Sequence, residues 1–280
     1  MVVMTCYDLH CHSTASDGSL SPAALVARAL DNEVDVLALT DHDGTEGIVA
    51  AQQAVQGSDM TLIAGVEISV TWNGATIHII GLNVDIENQN LQQGLATLRS
   101  YRSTRAVEIA KRLEKSGITG AYDGARKYAS EVMLGRVHFA KFLVEQGHAK
   151  SINDVFKRYL VRNKPGYVPG DWATLADAVT WITEAGGQAV IAHPARYKLT
   201  ATKLGRLITD FKNAGGVGME VVSGRQHPEE IKTLARLANK FELMASCGSY
   251  FHTPDNNWIE LGRLQPMPEI CTPIWQNWTQ

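Results

Sequence analysis

The chain has 280 residues, 45% hydrophobic and 20% charged, with a formal net charge of −3, enough for one large domain, or a domain carrying a sizeable insertion, around a well-buried core. A mean hydropathy of −0.12 and the lack of any apolar run near the ~18 residues a span requires argue against a membrane protein; the first residues show no secretory pattern. Cys6, Cys11, Cys247 and Cys271 form no Cys-x-x-Cys pair and read as reduced thiols of a cytoplasmic protein rather than a disulfide framework.

The first strand is expected near Cys6–His10. Ser21-Pro22 combines an N-cap with proline at the first helical position and opens a helix through Ala29. Val34–Thr40, Met60–Glu67 and Ile77–Leu82 are short apolar runs that read as buried strands. From Leu91 to Lys115 the pattern becomes a long amphipathic helix, with further helical signals over Arg136–Gln146 and Ile152–Leu160. Strand–helix alternation resumes after Trp172, with strands over Gln188–Ala192, Gly216–Val222 and Leu243–Cys247. The expected organisation is a barrel of residues 1–87 and 171–280, interrupted by a mainly helical insertion over 88–170. The strands suit a parallel α/β barrel, regular or irregular, or a doubly wound sheet. Neither a GxGxxG turn nor a P-loop opens the first helix, which weighs against nucleotide-cofactor folds.

Charge is unevenly spread. Residues 88–170 hold 15 Lys+Arg against 6 Asp+Glu, and the rest of the chain holds 11 against 23. An acidic body with a basic segment suggests cations held by the body and an anionic ligand met by the segment.

The histidines and acids cluster at expected strand ends: His10-Cys11-His12 with Asp17, Asp41-His42-Asp43, Glu67, His78, His193-Pro194 and His252. In a parallel barrel those ends share the face where active sites are built. His10 and His12 are two apart, so both imidazoles lie on one side of an extended strand while Cys11 points away. That spacing suits two imidazoles on one metal; Glu67 can bridge two metals, and Asp17, His42, His78, His193 and His252 can complete the cluster. Mixed nitrogen and oxygen donors favour Mn, Zn or Fe over Ca or a purely Mg site. Asp8, Asp41 and Asp43 are candidates for orienting the imidazoles through their second ring nitrogen, with a turn role before Gly44 as the alternative for Asp43. Guanidinium forks match phosphate oxygens. Arg102 and Arg105 on the long helix, Arg136 with His138 at the start of another, and Arg196 after the His193-Pro194 turn are therefore candidate substrate binders; Arg99 reads as surface decoration.

His10-x-His12, Ser16-Asp17-Gly18, Thr40-Asp41-His42-Asp43, Gly65-Val66-Glu67-Ile68-Ser69, Ala192-His193-Pro194 and Gly248-Ser249-Tyr250-Phe251-His252 together resemble the PHP (polymerase and histidinol phosphatase) superfamily across nearly the whole chain. Arg136-Val137-His138-Phe139-Ala140-Lys141-Phe142-Leu143 and Gly166-Tyr167-Val168-Pro169 resemble its TrpH/YciV subgroup, described as nucleoside 3′,5′-bisphosphate phosphatases and as a 5′-to-3′ exoribonuclease, RNase AM. The resemblance implies a distorted (β/α)7 barrel with two or three divalent ions. These are expected to be Mn2+, with Zn2+, Fe2+ or Mg2+ as alternatives. One ion would be held by His10, His12, Glu67 and the acid of the Gly-Ser-Asp-x-His motif, a second by Glu67, His78 and His193, a third by Asp17, His42 and His252. Here Tyr250 stands where that motif has aspartate. A phenol, neutral below a pKa near ~10, is a poor replacement for a carboxylate ligand, so a weakened first metal or impaired activity is expected.

The implied activity is hydrolysis of phosphate from nucleoside 3′,5′-bisphosphates, removal of 5′ nucleotides from short RNA, or both, by metal-activated water. Asp17, His193 and His252 are the expected catalytic residues, with His193 or His252 as candidate donor to the leaving oxygen. The partner is a phosphorylated nucleotide or short RNA, with no membrane and no obligate protein partner. Two alternatives are another PHP phosphatase, such as a histidinol-phosphatase-like enzyme, and a metal-deficient nucleotide-binding relative without catalysis.

Overall fold

The structure, a computed structural model, describes residues 5–129 and 133–278. Seven strands follow one another in chain order around one sheet: β1 (Tyr7–Cys11), β2 (Val36–Leu39), β3 (Thr61–Trp72), β4 (Ala75–Leu82), β5 (Gln188–Ile191), β6 (Gly218–Ser223) and β7 (Met244–Gly248). β7 leads back to β1: Tyr250 N–H donates to the His10 carbonyl at 2.8 Å and His12 N–H to the Phe251 carbonyl at 2.9 Å. The sheet thus closes nearly into a barrel. The seam is tight; a Cβ on Gly248 would lie 2.3 Å from His10 Cβ, so only glycine lets β7 approach β1 there.

The barrel is the distorted seven-stranded one expected, and one strand departs from the parallel order. β3 and β4 form an antiparallel hairpin through Asn73-Gly74, both at positive φ, as a tight hairpin turn demands. β4 is also antiparallel to β5, whereas β1–β2–β3 and β5–β6–β7 are parallel. β3 runs on to Trp72, so Glu67 lies within it and does not end it. Reversing β4 has a functional effect: His78 pairs with Ser69 near the beginning of β4, which puts it at the rim where the parallel strands finish.

Side-chain alternation separates two environments. On β3 and β4, Val66, Ile68, Val70, Ile77 and Ile79 face the outer helices, α7 (Leu175–Glu184), α8 (Ala201–Asn213) and α9 (Pro228–Lys240). The opposite parity carries Ile63, Glu67, His78 and Ile80. Leu9, Ala38, Ile63, Ile80, Val190 and Ala192 fill the barrel interior with Ile274, and the imidazoles and carboxylates form the layer above them. Cys11, Leu37 and Leu39 pack outward on α1 (Pro22–Asp31) and α2 (Ile48–Ala54). The Ser21 hydroxyl caps α1 by accepting from Ala24 N–H, with Pro22 at its start.

The chain leaves the barrel after β4 through α3 (Gln89–Lys115), α4 (Ala121–Arg126), α5 (Arg136–Glu145) and α6 (Ile152–Val155), the last running into a π-helical turn over Phe156–Leu160. Leu91, Leu95 and Leu98 of α3 join the barrel's outer core, whereas Ala106, Ile109, Ala110 and Leu113 build a second apolar cluster with Phe139, Leu143 and Leu160. Among the described residues no helix is long and apolar enough to cross a membrane.

Candidate metal centre

Glu67 is fully buried, and five imidazoles surround its carboxylate. Oε1 lies 2.8 Å from His193 Nε2, 2.9 Å from His78 Nδ1 and 3.4 Å from His10 Nε2; Oε2 lies 3.0 Å from His42 Nδ1 and 3.3 Å from His12 Nε2. Asp17 makes a second, looser centre, with Oδ1 at 3.4 Å from His252 Nε2 and 3.9 Å from His12 Nδ1, and Oδ2 at 3.9 Å from His42 Nε2.

Several of these approaches do not satisfy the atoms that make them. The 3.0 Å contact of His42 Nδ1 with Glu67 Oε2 has the distance of a hydrogen bond without its angle, and both atoms are buried with no hydrogen-bond partner, as are Asp17 Oδ1 and His193 Nδ1. Each such atom costs about 1–3 kcal/mol, so four in one small space are tolerable only where something electropositive meets them.

The tautomers lead to the same conclusion. His252 Nδ1 lies 3.0 Å from the Tyr250 carbonyl oxygen, which only accepts, so that nitrogen carries the proton and Nε2 turns a lone pair toward Asp17. His10 Nδ1 lies 2.9 Å from Glu220 Oε1, leaving Nε2 to face His12 Nε2 at 3.1 Å. A carboxylate behind an imidazole whose other nitrogen faces a cluster of donors is the arrangement that orients a metal ligand. Without a cation a proton takes that place. Burial alone would lower the His10 pKa, but the Glu220 and Glu67 carboxylates outweigh it and push it up to about 10. Burial opposes ionisation of Glu67 and Asp17 too, yet the imidazoles hold both carboxyls well below their ordinary range. The donor set fits divalent cations: the ligand atoms of His10, His12 and Glu67, of His42, Glu67 and His78, and of His12, Asp17, His42 and His252 each lie within 4.8 Å of one another.

These groupings differ from the expected ligand sets. His42 stands with Glu67 and His78 as well as with Asp17, and His12 stands with Asp17, His42 and His252 as well as with His10. His193 reaches the cluster through Glu67 Oε1. Tyr250 lies with its ring against the imidazoles, 5.1 Å from His10 and 4.5 Å from His252 between centroids. Burial, then the Glu67 carboxylate, push its phenol above the ordinary value, so it stays neutral.

Neither Asp8 nor Asp41 bonds an imidazole directly; Asp41 meets His12 only through Ser16 Oγ, 3.4 Å from its Nδ1. Asp8 accepts from the backbone N–H groups of Ser249 (2.7 Å) and Gly262 (2.9 Å), tying β1 to the segment after β7. Asp41 accepts from Ser13 N–H, Ser13 Oγ and Ser16 Oγ and so shapes the loop that carries His12 and Asp17. Asp43 accepts from Ser69 N–H at 2.6 Å and pairs with Arg102 Nε at 2.6 Å. Glu220, fully buried on β6, was not among the sequence candidates; it holds the His10 ring and also accepts from His193 N–H. Its only sequence signal is a lone carboxylate in Gly218-Met219-Glu220-Val221-Val222. Asp43, His193 and Tyr250 all have positive φ, 48°, 28° and 59°, a conformation disfavoured for non-glycine residues and concentrated at functional sites.

Beside the cluster lies a cavity of about 230 Å³. Asp17, His42, His78 and Tyr250 line it together with Arg102, Arg105 and Arg136. Arg102 is neutralised by Asp43. Arg105 donates to the Val168 carbonyl at 2.8 Å and lies over the Trp172 ring at 5.3 Å, and Arg136 lies over the Phe156 ring at 5.6 Å; no carboxylate pairs with either among the described residues. Burial, then the neighbouring guanidiniums, lower the Arg105 pKa to about 10; burial and Arg102 also lower that of Arg136. Two guanidiniums without counter-charges leave this confined space electropositive.

Two expected substrate residues lie elsewhere. His138 is buried beneath the start of α5, where its Nδ1 accepts from Gly135 N–H at 3.0 Å, and it does not line the cavity. Arg196 stacks on the Tyr250 ring at 3.9 Å and lines a different cavity. Arg99 is more than decoration: it donates to the Asp43 carbonyl at 3.1 Å and pairs with Glu46.

Residues 8–167 match the PHP domain family. The 5′-3′ exoribonuclease Rnm of Escherichia coli is 48% identical over 98% of this chain and 94% of its own length. The 3′,5′-nucleoside bisphosphate phosphatase of Chromobacterium violaceum is 44% identical over 96% of this chain and 95% of its own. A solved structure of an amidohydrolase from Chromobacterium violaceum, with bound sulfate and no metal, superposes with a TM-score of 0.92 at 44% identity, covering 96% of this chain and 94% of that one.

Proposed function

The chain belongs to the PHP domain family, and from that premise we propose that it is a metal-dependent phosphoesterase acting on nucleotides that carry a 5′ phosphate. The bond broken is the one between the ribose 3′ oxygen and phosphorus. This one cleavage serves both chemistries named for its relatives. Where the 3′ phosphate is terminal, the products are a 5′ nucleotide and inorganic phosphate; where it continues into RNA, they are a 5′ nucleotide and a shortened chain.

One juxtaposition carries the reading: the electron-rich cluster about Glu67 and Asp17 shares a cavity with the uncompensated Arg105 and Arg136. His10, His12, Asp17, His42, Glu67, His78, His193 and His252 would hold two or three divalent ions. The mixture of nitrogen and oxygen donors makes Mn2+ the proposed ion. When bound, such ions lower the pKa of water and neutralise charge on phosphoryl oxygens. Residues 88–170, read as a helical insertion, supply Arg102, Arg105 and Arg136. Arg102 is held by Asp43 as part of the wall, while Arg105 and Arg136 anchor the non-reacting phosphate and fix the substrate's orientation. Glu220 keeps the His10 ring and the His193 backbone in place. The buried side chains around the cluster exclude bulk water. The four cysteines are all free, in keeping with the reducing cytoplasm proposed as its location.

The test is hydrolysis of a nucleoside 3′,5′-bisphosphate and of a short 5′-phosphorylated RNA with Mn2+, before and after chelation. Turnover abolished by metal stripping and restored by Mn2+ is expected; turnover indifferent to stripping rejects the reading. Tyr250 supports a second reading, a chain deficient in one ion, since its neutral phenol occupies space among the imidazoles that a carboxylate would leave for a cation.

A further inference from the structure

Arg196, stacked on Tyr250, lines a second cavity of about 350 Å³ that His193 joins to the metal cluster. Three features there suit a nucleotide. Arg196 and Arg225 both line it, and neither pairs with a carboxylate among the described residues. Glu230 lines it too, but its carboxylate accepts from His227 N–H at 3.2 Å at the start of α9. Ser223, another wall residue, has a buried hydroxyl oxygen with no hydrogen-bond partner. At the edge Arg225 lies 4.6 Å over the ring of Trp258, which is 71% exposed. One exposed aromatic is ordinary surface. An exposed indole beneath a guanidinium, next to an unsatisfied hydroxyl and a second unpaired arginine, has the composition of a site for single-stranded nucleic acid, where bases stack on aromatic rings and arginines follow the phosphates.

We propose that this cavity seats the nucleotide on the 3′ side of the scissile phosphate. Arg196 and Arg225 take its phosphate charge, Ser223 its sugar and Trp258 its base. In the reaction water adds its oxygen to phosphorus, the bond from phosphorus to the ribose 3′ oxygen breaks, and that oxygen leaves with a proton. The 5′ nucleotide departs from the arginine-lined side, and the nucleotide in this cavity retains the phosphate as its new 5′ end. The inference rests on the phosphoesterase reading and adds a specificity element: a nucleoside bisphosphate has no such nucleotide, so these residues separate the two substrate classes.

The experiment measures kcat/KM with Mn2+ for a 5′-phosphorylated dinucleotide and for a nucleoside 3′,5′-bisphosphate in the parent, Trp258→Ala and Arg225→Ala proteins. The dinucleotide-to-bisphosphate ratio is expected to fall about tenfold in Trp258→Ala, the scale of one lost base-stacking contact, and to fall in the same direction in Arg225→Ala, which removes the guanidinium held over that ring. An unchanged ratio overturns the subsite. If the parent hydrolyses neither compound, the phosphoesterase reading fails by itself. The subsite is then decided by calorimetric dissociation constants for the same two compounds in chelator, where the same tenfold shift in their ratio supports it and no shift overturns it. Both side chains are exposed, so the variants are expected to fold, and thermal melting verifies that they do.

Discussion

The Arg196 guanidinium lies 3.9 Å above the centroid of the Tyr250 ring, so the tyrosine fills the space between a cation and four imidazoles. Tyr250→Asp would place a carboxylate there, within the reach of Arg196 and facing His10. We expect elemental analysis to find one more divalent ion per chain in that variant than in the parent, and kcat to rise at least ~10-fold, the lower end of what a group supporting a metal site contributes. Equal metal content and equal turnover would mean that the phenol is accommodated without cost.

Glu220 touches the His10 ring and the His193 backbone but no proposed substrate group. Glu220→Gln keeps the size and removes the charge behind His10. Such a change is expected to weaken Mn2+ binding by about 10–100-fold while raising KM little. The His10 pKa, read by NMR in the metal-free protein, should fall from about 10 toward 6.5, because Glu220 is the larger of the two carboxylate contributions raising it. A KM effect with normal metal affinity would contradict this role.

Arg136 has no protein carboxylate to pair with among the described residues, so its charge is free to meet a phosphate. Arg136→Gln is expected to raise KM for a 5′-phosphorylated substrate by about 10–100-fold, the range for hydrogen bonds to a charged group. It should affect a substrate lacking the 5′ phosphate much less. Thermal stability should stay level or rise, since the change relieves repulsion with Arg105 and Arg102.

Acid should destabilise the metal-free protein earlier than its carboxylates alone would dictate. Burial, as the leading cause, pushes His78 and His138 down to about 4 and His252 to about 3 from the ordinary 6.5. Below pH 6.5 the unfolded chain takes up protons at these rings while the folded chain does not. Stability therefore falls with pH, by about 1.4 kcal/mol per unit for each ring. His10, pushed up to about 10, works in the opposite sense: its contribution is complete below pH 6.5 and is lost as pH rises toward 10. Melting of chelator-treated protein at pH 5, 7 and 9 should give its highest Tm at pH 7; a flat profile would contradict the protonation states assigned to these rings.

Much of the cluster was legible in the sequence because its members stand on alternating positions of short apolar strands, where a polar side chain can only face the barrel. His10, His12 and Glu67 carry that pattern plainly. Glu220 carries it too, but a single acid in an apolar strand has no neighbour to single it out. The reversal of β4 was hidden for a different reason: Asn73-Gly74 is a hairpin signal, yet the apolar runs on either side end at Glu67 and begin at Ile77, too far from the turn to show it. Asp8 and Asp41 stand close to imidazoles in sequence, which suggests a partnership; in space they accept from backbone and serine donors across the barrel seam and the loop after β1. The division of the arginines between two cavities depends on where Tyr250 lies, and no spacing encodes that.

α3 has its first turns in the barrel's outer core and its last turns in the second apolar cluster, with Arg102 and Arg105 on the stretch between. A helix fixed at both ends does not swing. On the proposed reading the anchoring guanidinium of Arg105 therefore stands at a set span from Glu67, and the protein works as a rigid calliper. It would sort nucleotides by how far apart their two phosphates sit, and an isomer with the same charge but another spacing would reach one jaw and miss the other.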